Sequence, residues 1–218
     1  GWLSDLLGGS SENRAIADAM AKIRQLVEDE NFQNSLLHPA IRDTILNGAA
    51  IDSLPDATGE FGYCLSNPIP VNGSIGELAY LSKIETMHGQ RLLFHRLGSI
   101  DSKDVFECVA FDGSEWFILF ADLYHPRRSR LTPKGFRFSK EFGQFSGFHN
   151  FCHNFPYDFR EKRHSKNNEL SLAYIASGKV QEGMDRRAYQ RPLAHKLKLE
   201  LIRSRLQGMR TVGDSEHD

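Results

Sequence analysis

Eight of the fifteen phenylalanines fall between positions 136 and 159, in the run GFRFSKEFGQFSGFHNFCHNFPYDF. So large an apolar payload cannot be left in water and must be laid against other elements. Gly143, Gly147 and Pro156 interrupt the run, so one long helix is excluded. The expectation is interior filling against a β-sheet. Phe142, Phe145, Phe148, Phe151 and Phe155 point inward in that reading, and His149 and His153 face outward as polar companions.

A chain of 218 residues can bury a sizeable core, and 40% hydrophobic with 25% charged residues is ordinary for a globular protein. We read one α+β domain over 1–218. It has a helical N-terminal part (10–48), an antiparallel sheet (77–124), the Phe-rich segment (136–160) and a basic C-terminal helix (186–208). No apolar run approaches the ~20 residues that cross a bilayer. The opening GWLSDLLGGSS lacks the basic flank and apolar core of a secretory signal. Cys64, Cys108 and Cys152 are odd in number and form no CxxC, which fits a reducing cytoplasm. A net charge of −1 hides segregation: residues 1–62 carry ten Asp/Glu against four Lys/Arg, and residues 186–210 carry eight Lys/Arg against Glu200 alone. Either the two ends attract one another or the C-terminal segment meets an acidic partner.

Apolar spacing marks helices at both ends. Trp2, Leu3, Leu6 and Leu7 form a short amphipathic piece that Gly8-Gly9 should end. Ser10 or Ser11 then caps a helix with its stripe on Ile16, Ala19, Met20, Ile23 and Leu26 or Val27. Pro39 suits the first turn of a second helix that buries Ile41, Ile45 and Leu46, with Gly48 left-handed past its end. Seven Gly and Pro residues between Asp52 and Gly76 exclude regular helix, so SNPIPVNG reads as a rigid extended connector carrying Ile69 and Val71 across apolar surface.

From Leu78 to Tyr124 the period moves towards two. Asp112-Gly113 between FECVAF and WFILF predicts a hairpin with a type I′ turn. His88-Gly89 predicts another between Tyr80–Thr86 and Arg91–Leu97, with a helix over Ile75–Met87 as the alternative. The fold class is therefore α+β, an antiparallel meander of about four strands packed with N-terminal and C-terminal helices. Further on, Asn168 can cap a helix over 169–177 ended by Gly178. Leu193, Leu197, Leu201 and Leu206, with Ile202, mark a final helix that packs on the body and frays from about Gly208.

Four groups of residues carry candidate chemistry. If helical, His149, Cys152 and His153 share one face, offering two imidazoles and a thiolate to zinc or another borderline metal. Adjacent ligands at 152 and 153 bind one ion awkwardly, and packing is the simpler account. In Asp122–Arg130 (DLYHPRRSR), Asp122 can orient His125 as a general base. Tyr124, Arg127, Arg128 and Arg130 can then hold a carboxylate or phosphate. The competing reading is a solvated basic turn with Asp122 paired to an arginine. His95, in an apolar strand, fits a hydrogen-bonded core residue better than a ligand, unless the fold brings it to His125.

The basic helix could neutralise phosphates, but no nucleic-acid-binding signature accompanies it and the chain is near neutral, so nucleic acid is disfavoured. No GxxxxGK[ST], GxGxxG or HExxH occurs. We therefore expect a cytoplasmic protein-interaction module without catalytic activity, meeting a protein partner or a second copy of itself. The alternative is a metal-assisted or His/Asp-dependent hydrolase centred near Asp122 and His125.

Overall fold

The computed structural model describes residues 2–141, 144–161, 172–186 and 191–213. In chain order the elements are α1 (Trp2–Glu28), α2 (Glu30–Ser35), α3 (Pro39–Leu46), β1 (Ile69–Pro70), α4 (Gly73–Lys83), β2 (Ile84–Thr86) and β3 (Leu92–Ile100). They continue with β4 (Lys103–Ala110), β5 (Trp116–Asp122), β6 (Phe136–Phe138), β7 (Gly147–Phe148), α5 (Leu172–Arg186) and α6 (Leu193–Gly213). The α+β class holds. The meander β3-β4-β5 lies inside a mixed five-stranded sheet of order β1-β5-β4-β3-β7, in which β1 runs parallel to β5 and β7 parallel to β3.

The sheet is covered on both faces. Leu92, Phe94, Phe106, Cys108, Leu119 and Ala121 pack with Tyr80, Leu81 and Ile84 of α4 and β2. On the other face, Leu93, Val109 and Trp116 meet Phe148, Phe155, Phe159 and the α5 residues Ala173, Val180 and Met184. Beside them Leu97, Val105 and Ile118 receive Leu199 and Ile202 of α6. The Phe-rich run is thus shared between faces, since Phe136 lies in the α4-side cluster. Phe145 and Phe151 are half-buried, and Phe142 lies outside the described residues.

Several boundaries differ from the sequence reading, each for a local reason. α1 runs unbroken through Gly8-Gly9, because a helical glycine costs about 1 kcal/mol without blocking the next hydrogen bond. Its stripe is largely uncovered: Ile16 and Met20 are exposed and Val27 is fully buried. The break falls at Asp29, whose carboxylate caps α2 by accepting from Phe32 N. Pro39 does open α3, but Leu46 is exposed, and Gly48 is not left-handed. A side chain at 48 would collide with the carbonyl of Tyr124.

Tyr80–Lys83 are helical, so the helix alternative held for most of Ile75–Met87 and the strand begins only at Ile84. β2 does turn back at His88-Gly89, with Thr86 N donating to Gln90 O, yet its main partner is β6. α5 continues through Gly178 and Gly183, which allow close approach to Arg160 and to the Asp112 carbonyl. Asn168, its expected cap, lies outside the described residues. α6 continues past Gly208 to Gly213.

SNPIPVNG behaves as read, crossing the sheet edge as β1 with Ile69 and Val71 buried. Prolines are tolerated there because an edge strand has one side free of ladder bonds. The buried Asn72 ends this segment and organises its surroundings. Its amide nitrogen donates to Gln33 Oε1 and Asn34 Oδ1, each at 2.9 Å. Gln33 Nε2 in turn caps the α1 carbonyls of Leu26 and Val27, and Asn34 Nδ2 reaches Pro126 O.

The predicted hairpin at Asp112-Gly113 joins β4 to β5, but only Gly113 has positive φ (72°), so the turn is not type I′. The turn with two left-handed residues is Asp101-Ser102 (φ 47° and 60°), between β3 and β4. Position 113 also lies under α5, where a Cβ would stand 2.9 Å from Val180 O and 3.0 Å from Met184 N. Gly113→Ala should therefore lower unfolding free energy by more than about 1 kcal/mol, the usual penalty for a left-handed non-glycine residue. Urea denaturation at fixed pH measures it.

Candidate functional site

The strand pair β3–β4 gathers charged side chains on both faces of the sheet. On the α5/α6 face, His95 and Glu107 are cross-strand partners, fully buried, with Nε2 3.0 Å from Oε1. His95 Nδ1 accepts from the backbone N–H of Cys152 at 3.0 Å, so the ring proton sits on Nε2 and is donated to Glu107. Burial lowers the His95 pKa, against the pull of Glu107, and keeps the ring neutral. The imidazole stacks on Phe155 at 4.2 Å. Arg191 completes the group, 3.1 Å from Glu107 Oε2, with its guanidinium 4.4 Å over Trp116. Both His95 ring nitrogens have a structural partner, which matches the core-histidine reading.

On the α4 face the arrangement is different. Between Arg96 and Gly98, β3 carries a β-bulge, so Arg96 stands opposite Phe106 and Ser99 opposite Asp104. The extra residue brings Arg96 and Ser99, three apart, to one face. Asp104 Oδ1 accepts from Arg96 Nη2 at 2.8 Å and from Ser99 Oγ. Glu77 of α4 and His149, just after β7, converge on the same spot. One ligating atom each from Glu77, Asp104 and His149 all lie within 4.8 Å of one another. His149 Nε2 approaches Glu77 Oε2 to 2.7 Å, but outside hydrogen-bond geometry. Among the described residues no group outside this cluster donates a hydrogen bond to either carboxylate oxygen of the fully buried Glu77. Burial, then the nearby Asp104 charge, pushes the Glu77 carboxyl well above its ordinary range, and burial pulls the His149 imidazole down. His149 and Arg96 keep about a quarter of their side chains exposed, so the group opens to solvent on their side.

The run from Asp122 is an internal tie. Asp122 Oδ2 lies 2.6 Å from Lys103 Nζ and 3.4 Å from His125 Nε2. His125 Nδ1 lies 2.8 Å from Ala49 O, so both of its nitrogens face acceptors. Burial would raise the Asp122 pKa, but His125 and Lys103 outweigh it and hold it near 2; the same pairing raises His125 despite burial. An imidazole held by acceptors at both nitrogens has no lone pair free to act as a general base. The arginines are spoken for as well. Arg127 pairs with Asp52 at 2.7 Å and Arg128 with Glu30 at 3.5 Å. Arg130 is exposed, with its N–H on Asp52, and the Tyr124 N–H points to Asp122. Asp122 pairs with Lys103 where an arginine was expected.

The trio His149, Cys152 and His153 is not brought together. Cys152 lies in the apolar cluster on the α5 side, His153 is exposed, and His149 turns towards Glu77. The segment is not helical, so i, i+3, i+4 spacing gives no common face. An open cleft of about 780 Å³ between the β4–β5 turn and α5 is lined by Glu85, Arg91, Asp112, Lys179 and Glu182, and none of the clustered groups reaches it.

The sequence reading passed over Glu77 and Asp104. A usable signal existed for Glu77, which falls on the helical stripe of Tyr80, Leu81 and Ile84, where a carboxylate is out of place. Among known proteins, no family model, no curated protein and no solved structure matches this chain.

The Asp122 group carries a pH test. A carboxyl held near 2 instead of its ordinary 3.8 contributes roughly 2 kcal/mol above pH 4, lost as pH falls from 4 to 2. Raised His125 contributes below its ordinary 6.5 and loses that as pH rises through its folded value. Asp122→Asn should therefore cost roughly 2 kcal/mol near pH 6, and the gap to wild type should close towards pH 2. Chemical denaturation across pH 2–8 measures the gap.

Proposed function

We propose that this chain is a protein-binding module that docks an acidic, amphipathic partner on the outer face of α6. One observation carries the reading: α6 is apolar on two opposite sides and is covered on one. Leu199 and Ile202 are buried against the sheet. Leu193, Leu197 and Leu201, in contrast, are 71%, 58% and 57% exposed. At about 100° per residue the two sets stand on opposite sides of the helix. Of the leucines expected to pack inward, Leu193, Leu197 and Leu201 are left outside, while Leu206, like Ile202, meets the sheet. A helix apolar on all sides is ordinarily buried on all sides.

The sheet side of this surface is concave. A groove of about 140 Å³ runs beside Leu201, lined by Tyr63, Leu65, Ile100 and Phe120. Covering an exposed leucine is worth roughly 1.5–3 kcal/mol, so three with a groove supply the centre of an interface.

Charge selects the partner. Lys196, Lys198 and Arg205 are exposed on the flanks of the stripe, against Glu200. The acidic N-terminal part is engaged elsewhere: Glu28 pairs with Lys83, Glu30 with Arg128, Asp52 with Arg127 and Glu60 with Lys134. Mutual attraction of the two ends therefore has no support among these pairs. A second copy meeting α6 with its own α6 would set like charges face to face, so the reading favours a different, acidic protein.

The test uses the full chain and a labelled synthetic helix bearing leucines at i, i+4 and i+8 flanked by glutamates, followed by fluorescence anisotropy. Binding in the micromolar range, weakened at least tenfold by Leu197→Asp or Leu201→Asp and reduced by salt, is the expected outcome. Absence of binding at low salt, or binding indifferent to both substitutions, overturns the reading. Stability separates the two faces independently. Leu199→Ala should cost about 2–5 kcal/mol, and Leu197→Ala within about 0.5 kcal/mol of nothing, by thermal or chemical unfolding.

A further inference from the structure

We infer that Glu77, Asp104 and His149 form a binding site for one first-row divalent transition-metal ion, with the Arg96 side of the group open to solvent. The inference is independent of the α6 surface. Bonds of about 2.0–2.2 Å to imidazole nitrogen and carboxylate oxygen place ligands of one ion within about 4.4 Å of each other. The three ligating atoms already lie within 4.8 Å of one another, a few tenths of an ångström beyond that limit, so side-chain rotation has to close the set around an ion. Each comes from a different, independently anchored segment: Glu77 from α4, Asp104 from β4 and His149 from the stretch behind β7.

A second observation points the same way. Glu77 is fully buried, and among the described residues its two oxygens meet only members of the same group, His149 Nε2 at 2.7 Å outside hydrogen-bond geometry and the Asp104 carboxyl. Buried polar atoms in native proteins are nearly always paired, and a set of orphans aimed at a common point marks a ligand. The local charge agrees. Asp104 is paired with Arg96 and Asp122 nearby with Lys103, whereas the ion-pair partner of Glu77 among the described residues is the His149 imidazole, a weaker source of positive charge. An ion at the convergence point supplies that charge and satisfies all three orphan atoms together.

The Asp104 carboxylate is also held in place, since Arg96 and Ser99 both donate to its Oδ1, the kind of supporting contact that orients metal ligands. One imidazole with two carboxylates, and no thiolate, suits Zn²⁺, Mn²⁺, Fe²⁺ or Co²⁺ better than Ca²⁺ or a sulfur-seeking ion. Three protein ligands leave at least one coordination position for water or another small ligand.

The experiment strips the purified full chain with a chelator and titrates it with Co²⁺, read by its visible d–d absorption, and with Zn²⁺, read by calorimetry. One equivalent per chain is expected, with a cobalt spectrum showing nitrogen and oxygen ligation. His149→Ala should weaken binding at least about 100-fold, beyond the 10–100-fold typical of lost supporting contacts. His153→Ala, at an exposed histidine in the same segment, should leave binding unchanged. Glu77→Gln removes the charged ligand. If that variant fails to give the wild-type circular dichroism, the partly exposed His149 position carries the test alone. No uptake tighter than ~100 μM by folded wild type overturns the site, as does uptake equal in wild type and His149→Ala.

Discussion

Strand β4 is buried along seven of its eight residues, on both faces, and that constraint governs everything packed around it. A strand exposed on one side can place its charges in water. Here Asp104 and Glu107 have no such outlet. Each must be met by groups delivered from other elements, because an unpaired buried charge costs several kcal/mol. Glu107 receives His95 from β3 and Arg191 from the segment before α6. Asp104 receives Arg96 and Ser99 from β3. The covering helices therefore contribute compensating chemistry as well as apolar area.

These contacts also fix register. A one-residue slip of β3 against β4 would exchange faces for every side chain, separating His95 from Glu107 and Arg96 from Asp104 in one movement. Apolar packing alone tolerates such errors better, since both faces of this sheet are hydrophobic. The polar pairs make the wrong alignment expensive, which is the best-attested use of charges inside a core. The bulge at Leu97 belongs to the same arrangement: without it Ser99 would face α6 and Asp104 would lose a donor.

How far all this was legible depends on whether the signal was local. The hairpin at Asp112-Gly113, the edge segment SNPIPVNG and the helix start at Pro39 follow from backbone preferences of the residues themselves, and they are found in place. His95 was readable as a core residue because an isolated histidine in an apolar strand has few other options. The inward face of α6 was not readable. Leucines at 193, 197 and 201 and apolar residues at 199, 202 and 206 make two equally regular stripes, and only the sheet decides which is covered. Nor could the convergence of Glu77, Asp104 and His149 be read, since it depends on where α4 and β7 land relative to β4. The histidine-cysteine trio failed for the converse reason: its spacing has meaning only on a helix, and the backbone there is irregular.

α1 has a mechanical consequence of its own. Twenty-seven residues make a rod about 40 Å long. It is gripped near its C-terminal end, by Val27 in the core, by Glu28 on Lys83 and by the Gln33 amide on its final carbonyls. A 10° tilt of so long a rod about that grip displaces its far end by about 7 Å. The fulcrum sits on Lys83, the last residue of α4, so torque on the rod is passed to the helix that also carries Glu77.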